Sequence, residues 1–97
     1  MNSFFLVGRL IEDAIQTETT TGTKMSRIKV AVDKSNKDQQ VTKEIFEVIL
    51  FRTLAEKQLF KNDAIAISGK VQANNYEKDD VSYYNCNLIA SSLYVLE

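Results

Sequence analysis

An all-β fold is predicted for this 97-residue chain: a five-stranded Greek-key barrel with one short helix between its third and fourth strands. Three observations predict it. Short β-branched or alternating apolar runs recur along the chain, separated by polar turn segments. The run Lys43 to Lys61 (KEIFEVILFRTLAEKQLFK) changes hydrophobic period partway, from strand-like to helix-like. Beyond it, two further strand-like runs are joined by a charged tip, and no internal repeat competes with this order. A single helix inserted after the third of five strands is the plan of an OB-fold. OB-folds are common platforms for single-stranded nucleic acid.

Ser3 to Ile11 (SFFLVGRLI) reads as the first strand, with Gly8 marking a bulge or a close approach. Asp13 to Gly22 is polar and threonine-rich and reads as a turn region, reversing at Thr21-Gly22-Thr23. Lys24 to Asp33 alternates: Ile28, Val30 and Val32 face one way, Arg27, Lys29 and Ala31 the other, giving a half-buried second strand with cations outward. Lys34 to Thr42 (KSNKDQQVT) has almost no apolar content and reads as a flexible connecting loop. The third strand, up to Phe51, is apolar on both faces, as a largely buried strand would be. Thr53 then caps a helix, with Glu56 at the spacing of a capping box and Asn62-Asp63 closing it.

In the fourth strand, Ala64 to Tyr76, the residues Ile65, Ile67, Gly69 and Val71 point inward. Ser68, Lys70, Gln72, Asn74 and Tyr76 share its outward face. Glu77 to Val81 forms a hairpin tip, Ser82 to Ala90 the fifth strand, and Leu93 to Leu96 a short closing strand. Cys86 shares the parity of Tyr84 and Leu88 and is expected to be a buried structural thiol.

The length suits one domain spanning residues 1–97. No apolar run approaches the roughly 20 residues of a membrane-spanning helix. Arg9, Glu12 and Asp13 interrupt the N-terminal apolar stretch, so no signal peptide is expected and a cytoplasmic protein is the default. Cys86 is the only cysteine and there is no histidine, which excludes an internal disulfide, a Cys/His zinc site and any His-based triad. Gly8, Gly22 and Gly69 are too scattered for a phosphate-cradling loop, and Asp79-Asp80 reads as a solvated turn. No catalysis, metal or cofactor is expected. The net charge of −1 means that any nucleic-acid surface must arise from local arrangement of cations.

Several stretches, in order, resemble the DNA-binding domain of the bacterial single-stranded DNA-binding protein family. They are Met1-Asn2-Ser3-Phe4 leading into Leu6-Val7-Gly8-Arg9-Leu10, then Val30-Ala31-Val32, then Val48-Ile49-Leu50-Phe51-Arg52 with Leu54-Ala55-Glu56, then Ile67-Ser68-Gly69-Lys70-Val71, and the ending Ala90-Ser91-Ser92-Leu93 to Leu96-Glu97. The resemblance spans essentially the whole chain. It implies sequence-nonspecific binding of single strands by aromatic stacking and phosphate contacts, usually as a homotetramer, in replication, recombination and repair. By position it implies stacking roles for Phe51 and Tyr76, polar or basic contacts at Arg9 and Lys61, and subunit contacts at Asn2, Phe4 and Phe46. Asn36 and Ile45 stand where members of the family often carry aromatics, and there is no tryptophan. The family's polar linker and acidic C-terminal tip, which recruit replication and repair proteins, have no counterpart here, as in a trimmed chain or a tail-less relative.

Each candidate has a plainer reading. Tyr76 is either a half-exposed strand tyrosine or a stacking platform beside Lys70, and the resemblance favours the platform. Core packing alone would explain Phe51. Phe4, Phe5, Phe46 and Phe60 read as core or subunit-interface rings. Tyr83 and Tyr84 alternate to opposite faces, so one stacks and the other packs; which does which is open, with Tyr83 taken as the candidate beside Phe51 and Tyr76. Arg9, Arg27, Lys29, Lys34, Lys37, Arg52, Lys57, Lys61, Lys70 and Lys78 are candidate phosphate contacts, Lys57 reading more simply as a solvated helix-surface residue, with Arg27, Lys29, Arg52 and Lys70 nearest the expected aromatic face. The alternative function is an OB-fold subunit of a replication-restart or similar assembly, whose main surface meets other proteins.

Overall fold

The computed structural model describes residues 2–35 and 41–96. Its elements are β1 (Phe4–Leu10), β2 (Ile15–Glu18), β3 (Lys24–Ser35), β4 (Val41–Phe51), a 3-10 turn at Leu54–Glu56, β5 (Ala64–Lys78) and β6 (Val81–Val95). They follow the order β1-β5-β6-β4-β3-β2, and β1 pairs back onto β3 at Arg9–Ala31 and Leu10–Val30. That closure makes a barrel of β1, β3, β4, β5 and β6, the expected all-β OB plan, with β2 riding outside on β3. All pairings are antiparallel except β4 with β6, which run parallel at Val48–Leu88 and Ile49–Ile89.

Alternation explains the interior. Ile28 and Val30 from β3, Val48 and Leu50 from β4, and Ile65 and Ile67 from β5 are fully buried and meet Leu10, Ala90 and Leu93 in one core. A fully buried aliphatic side chain of this size contributes about 1.5–3 kcal/mol. Ala31, expected to face outward, is buried as well, because β1 crosses it: a Cβ on Gly8 would collide with the Ala31 carbonyl oxygen. Gly8 is therefore the close approach that lets the barrel close. Gly8→Ala should destabilise the fold by about 1–3 kcal/mol in chemical denaturation, since backbone must move to admit the methyl group.

The structure corrects the sequence reading in four further places. The expected helix is one 3-10 turn, and its capping box does not form: Thr53 is itself helical (φ −57°, ψ −40°) and makes no side-chain cap. Glu56 instead reaches Lys24 Nζ at 3.1 Å. Lys57 turns extended (ψ 135°), with its Nζ donating to the Leu93 carbonyl at 3.3 Å. A helix this short is marginal without tertiary support. The extended exit carries Leu59 into the core, and its carbonyl accepts from the Ala14 amide at 3.0 Å. Asn62 does take the left-handed conformation (φ 76°), but in the turn before β5.

Second, the polar stretch after β1 contains β2, an exposed strand paired with Lys24 to Arg27. The reversal at Gly22 (φ 85°) is as expected. Third, β3 and β4 run on into the expected loop, pairing Lys34 with Thr42, and residues 36–40, with Asn36 and Lys37, lie outside the described residues. Fourth, the fifth and closing strands are one strand, β6, whose register against β5 shifts between Ser68 and Gly69. Beyond the barrel β5 and β6 continue as an exposed two-stranded arm, so Cys86 is exposed rather than buried.

Candidate nucleic-acid interface

Cross-strand partners project from the same side of a sheet, so the register defines one outer surface. A row of partners crosses five strands: Ile15, Arg27, Ile49, Ile89 and Lys70. Beside it run the pairs Met25–Phe51, Lys29–Glu47 and Ala31–Ile45. Along the arm, Gln72, Asn74 and Tyr76 continue the face from Lys70, opposite Asn87, Asn85 and Tyr83. The register thus places Phe51, Arg27, Lys29, Lys70, Tyr76 and Tyr83 on one continuous face.

The arm ends in a two-residue turn, Asp79-Asp80, both left-handed (φ 54° and 63°). Two such residues make the hairpin turn whose twist matches that of the strands, and aspartate tolerates this conformation. Just before the turn, the rings of Tyr76 and Tyr83 stack with centroids 5.0 Å apart and planes 16° apart. They remain 47% and 41% exposed, so the stack presents aromatic surface to solvent. Tyr84, paired with Asn75, lies on the opposite face of the arm and is 78% exposed. Of the two tyrosines left open by sequence parity, Tyr83 is the one that joins Tyr76. Phe51 is half-buried and lines a shallow cleft with Thr19, Thr21, Thr23 and Arg52. Ile45, half exposed on the same face, is a surface the sequence reading noted only as a missing aromatic.

The candidate cations divide into paired and unpaired sets. Arg27 faces Glu47 at 3.5 Å and Lys29 faces Glu12 at 3.6 Å. Lys34 pairs with Glu44 at 3.5 Å, on the other side of the β3–β4 ribbon from Arg27 and Lys29. Arg9 donates to the Asn62 carbonyl at 2.9 Å. Arg52, Lys61, Lys70 and Lys78 form no ion pair among the described residues. Lys70 and Lys78 share the parity of Tyr76, and Arg52 follows Phe51. Lys61 lies at the far end of β5 from Tyr76, in the turn where its amide bonds Asp13 Oδ1.

The three candidate interface residues are placed as follows. Asn2 Oδ1 accepts from the Val71 amide at 3.0 Å, Phe4 packs against the core, and Phe46 is half-buried opposite Val30. One group of exposed apolar side chains lies elsewhere: Phe5, Val7 and Tyr94 are on the outer face of neighbouring β1, β5 and β6, where Val7, Ala66 and Tyr94 are register partners, and exposed Leu96 follows β6. Among the described residues no group of acids and cysteine could hold a metal ion, and no helix is long and apolar enough to cross a membrane.

The model of the single-strand binding protein family matches residues 1–96. The chain is 30% identical over 101 residues to single-stranded DNA-binding protein 2 of Streptococcus agalactiae, covering 99% of this chain and 77% of that protein. It is 31% identical over 103 residues to single-stranded DNA-binding protein 1 of Staphylococcus aureus, covering 100% of this chain and 66% of that protein. A crystal structure of a deletion mutant of the single-stranded DNA binding protein from Thermus aquaticus superposes with a TM-score of 0.82 at 22% identity. That match covers 100% of this chain and 51% of the Thermus chain, and it shows the fold.

Proposed function

The chain belongs to the single-strand binding protein family, and we propose that it binds single-stranded DNA without strong sequence preference, coating exposed strands in replication, recombination and repair. The observation that carries the reading is the stacked pair Tyr76–Tyr83, exposed on the same sheet face as Lys70, Arg27 and Phe51. Bases stack on aromatic faces whatever their identity, at about 1–3 kcal/mol each, while nearby cations follow the phosphates. Function through binding rather than catalysis accords with a face that offers rings, amides and cations. A homotetramer is proposed on the exposed apolar patch around Phe5 and Tyr94, with Asn2, Phe4 and Phe46 as further candidate contacts. Cytoplasmic location, and replication and repair proteins as partners, belong to the same proposal.

A titration of single-stranded DNA, duplex DNA and RNA across salt concentrations tests it. Single-stranded DNA should bind more tightly than duplex, with log affinity falling by about 0.7 per phosphate contact for each decade of salt. With net charge −1 the slope should be shallower than in strongly basic binders. Equal affinity for duplex and single strand would refute the proposal. The pairing of Arg27 and Lys29 with carboxylates favours one second reading, an OB-fold subunit that meets other proteins and binds nucleic acid weakly. A complete lack of binding at low salt would select it.

A further inference from the structure

We propose that Glu47 and Glu12 are negative determinants of strand binding. They sit as internal stand-ins for phosphate on Arg27 and Lys29, and a strand engages those cations by exchanging its phosphates for the two carboxylates. The inference rests on the single-strand binding reading and deepens it.

The geometry carries the argument. Glu47 lies on β4 directly opposite Lys29, between the outward residues Ile45 and Ile49, and its Oε1 is 3.5 Å from Arg27. Glu12 Oε1 is 3.6 Å from Lys29 Nζ. All four side chains are about half exposed: 53% and 47% for the first pair, 43% and 43% for the second. Pairs this open contribute little in water, so a strand can displace them. A carboxylate and a phosphate compete for the same donors, and the Glu47 contact occupies an Arg27 Nη1 donor that a phosphate would otherwise take. Glutamate is also a poor strand former, and what holds it at this outward β4 position is its contact with the two cations opposite.

Lys70, Lys78 and Arg52 behave differently, because they carry no carboxylate partner among the described residues. A strand reaches them without exchange. Binding to Arg27 and Lys29 frees Glu47 and Glu12 beside the incoming phosphates. Each freed carboxylate repels the strand and takes up a counterion, offsetting part of the release that drives binding. Both affinity and salt slope are held down by the exchange.

Glu47→Gln and Glu12→Gln test this against Glu56→Gln and Glu44→Gln. Glu56→Gln makes the same charge change with a partner, Lys24, that lies off this face by parity and is no candidate contact. Glu44→Gln frees Lys34, which the register places on the other side of the β3–β4 ribbon, and so controls for a released cation away from this face. Binding is read by fluorescence anisotropy with a labelled oligothymidylate at several salt concentrations, and folding by circular dichroism. Glu47→Gln should bind about three- to fivefold more tightly at low salt and show a steeper salt slope. Glu12→Gln should change in the same direction, and both controls should stay within about twofold of wild type. If wild type binds but Glu47→Gln gains no more than Glu56→Gln, the exchange is refuted and single-strand binding stands. If wild type fails to bind at low salt, single-strand binding falls and the exchange falls with it.

Discussion

Replacing Tyr76 by alanine is expected to weaken single-strand binding by about 1–3 kcal/mol, on the order of five- to 150-fold, with almost no loss of fold stability. The arm explains why binding and stability separate. Every residue from Gln72 to Lys78 is exposed, and none belongs to the core cluster, so truncation there opens no cavity. Tyr83→Ala should cost a comparable amount. The two rings face each other at 5.0 Å, so they offer a base one shared platform, and the double variant should lose less than the sum of the single losses. Tyr84→Ala, on the opposite face of the arm, should bind like wild type. Anisotropy titrations of the four variants measure each term. Unchanged binding by Tyr76→Ala would move the platform to Phe51 or Tyr83.

The barrel was legible because its strands obey period two. Ile28 and Val30, or Ile65 and Ile67, announce a buried face without any knowledge of their partners. The failures have local causes. Ile15-Gln16-Thr17-Glu18 is exposed throughout, so no alternation marks it as a strand. The Thr53–Glu56 spacing is a genuine capping pattern, but Glu56 finds Lys24 on the neighbouring strand β3, a partner that spacing cannot reveal. Cys86 was misplaced because parity tells which face a residue takes, whereas burial needs a neighbour on that face, and the arm has left the barrel by then. The stacking candidates were partly legible for the same reason: parity separated Tyr83 from Tyr84, and only register could match one of them to Tyr76. The charge pairing on the face was hidden altogether. Glu47 and Lys29 become neighbours through the β3–β4 register, and Glu12 reaches Lys29 from the loop after β1.

The largest effect is expected from assembly, which leads to a variant carrying Phe5→Asp and Tyr94→Asp together. Phe5 is 69% and Tyr94 65% exposed, with Val7 and Leu96 about half exposed beside them. Contiguous apolar surface of this kind marks an interaction site. A second copy of the same face would cover it, and closed symmetric assembly is the usual outcome. In an assembly, one long strand touches several copies, so each contact after the first is intramolecular and affinity multiplies without any new chemistry. With the homotetramer proposed above, wild type should scatter light as a tetramer at micromolar concentration, and the double variant, which loses this face, as a smaller species. Its affinity for a strand long enough to span several copies should fall by on the order of 100-fold. Its affinity for a strand that fits one barrel should change little, because Tyr76, Tyr83 and Lys70 are untouched. Both rings face solvent in the isolated chain, so the substitution leaves the core intact and thermal unfolding should remain near that of wild type. Phe46→Asp is the companion test for the β4 candidate, whose half-buried ring puts folding at risk as well. A wild-type monomer would refute the tetramer, and a double variant that still scatters as a tetramer would move the interface away from Phe5 and Tyr94 towards Phe46.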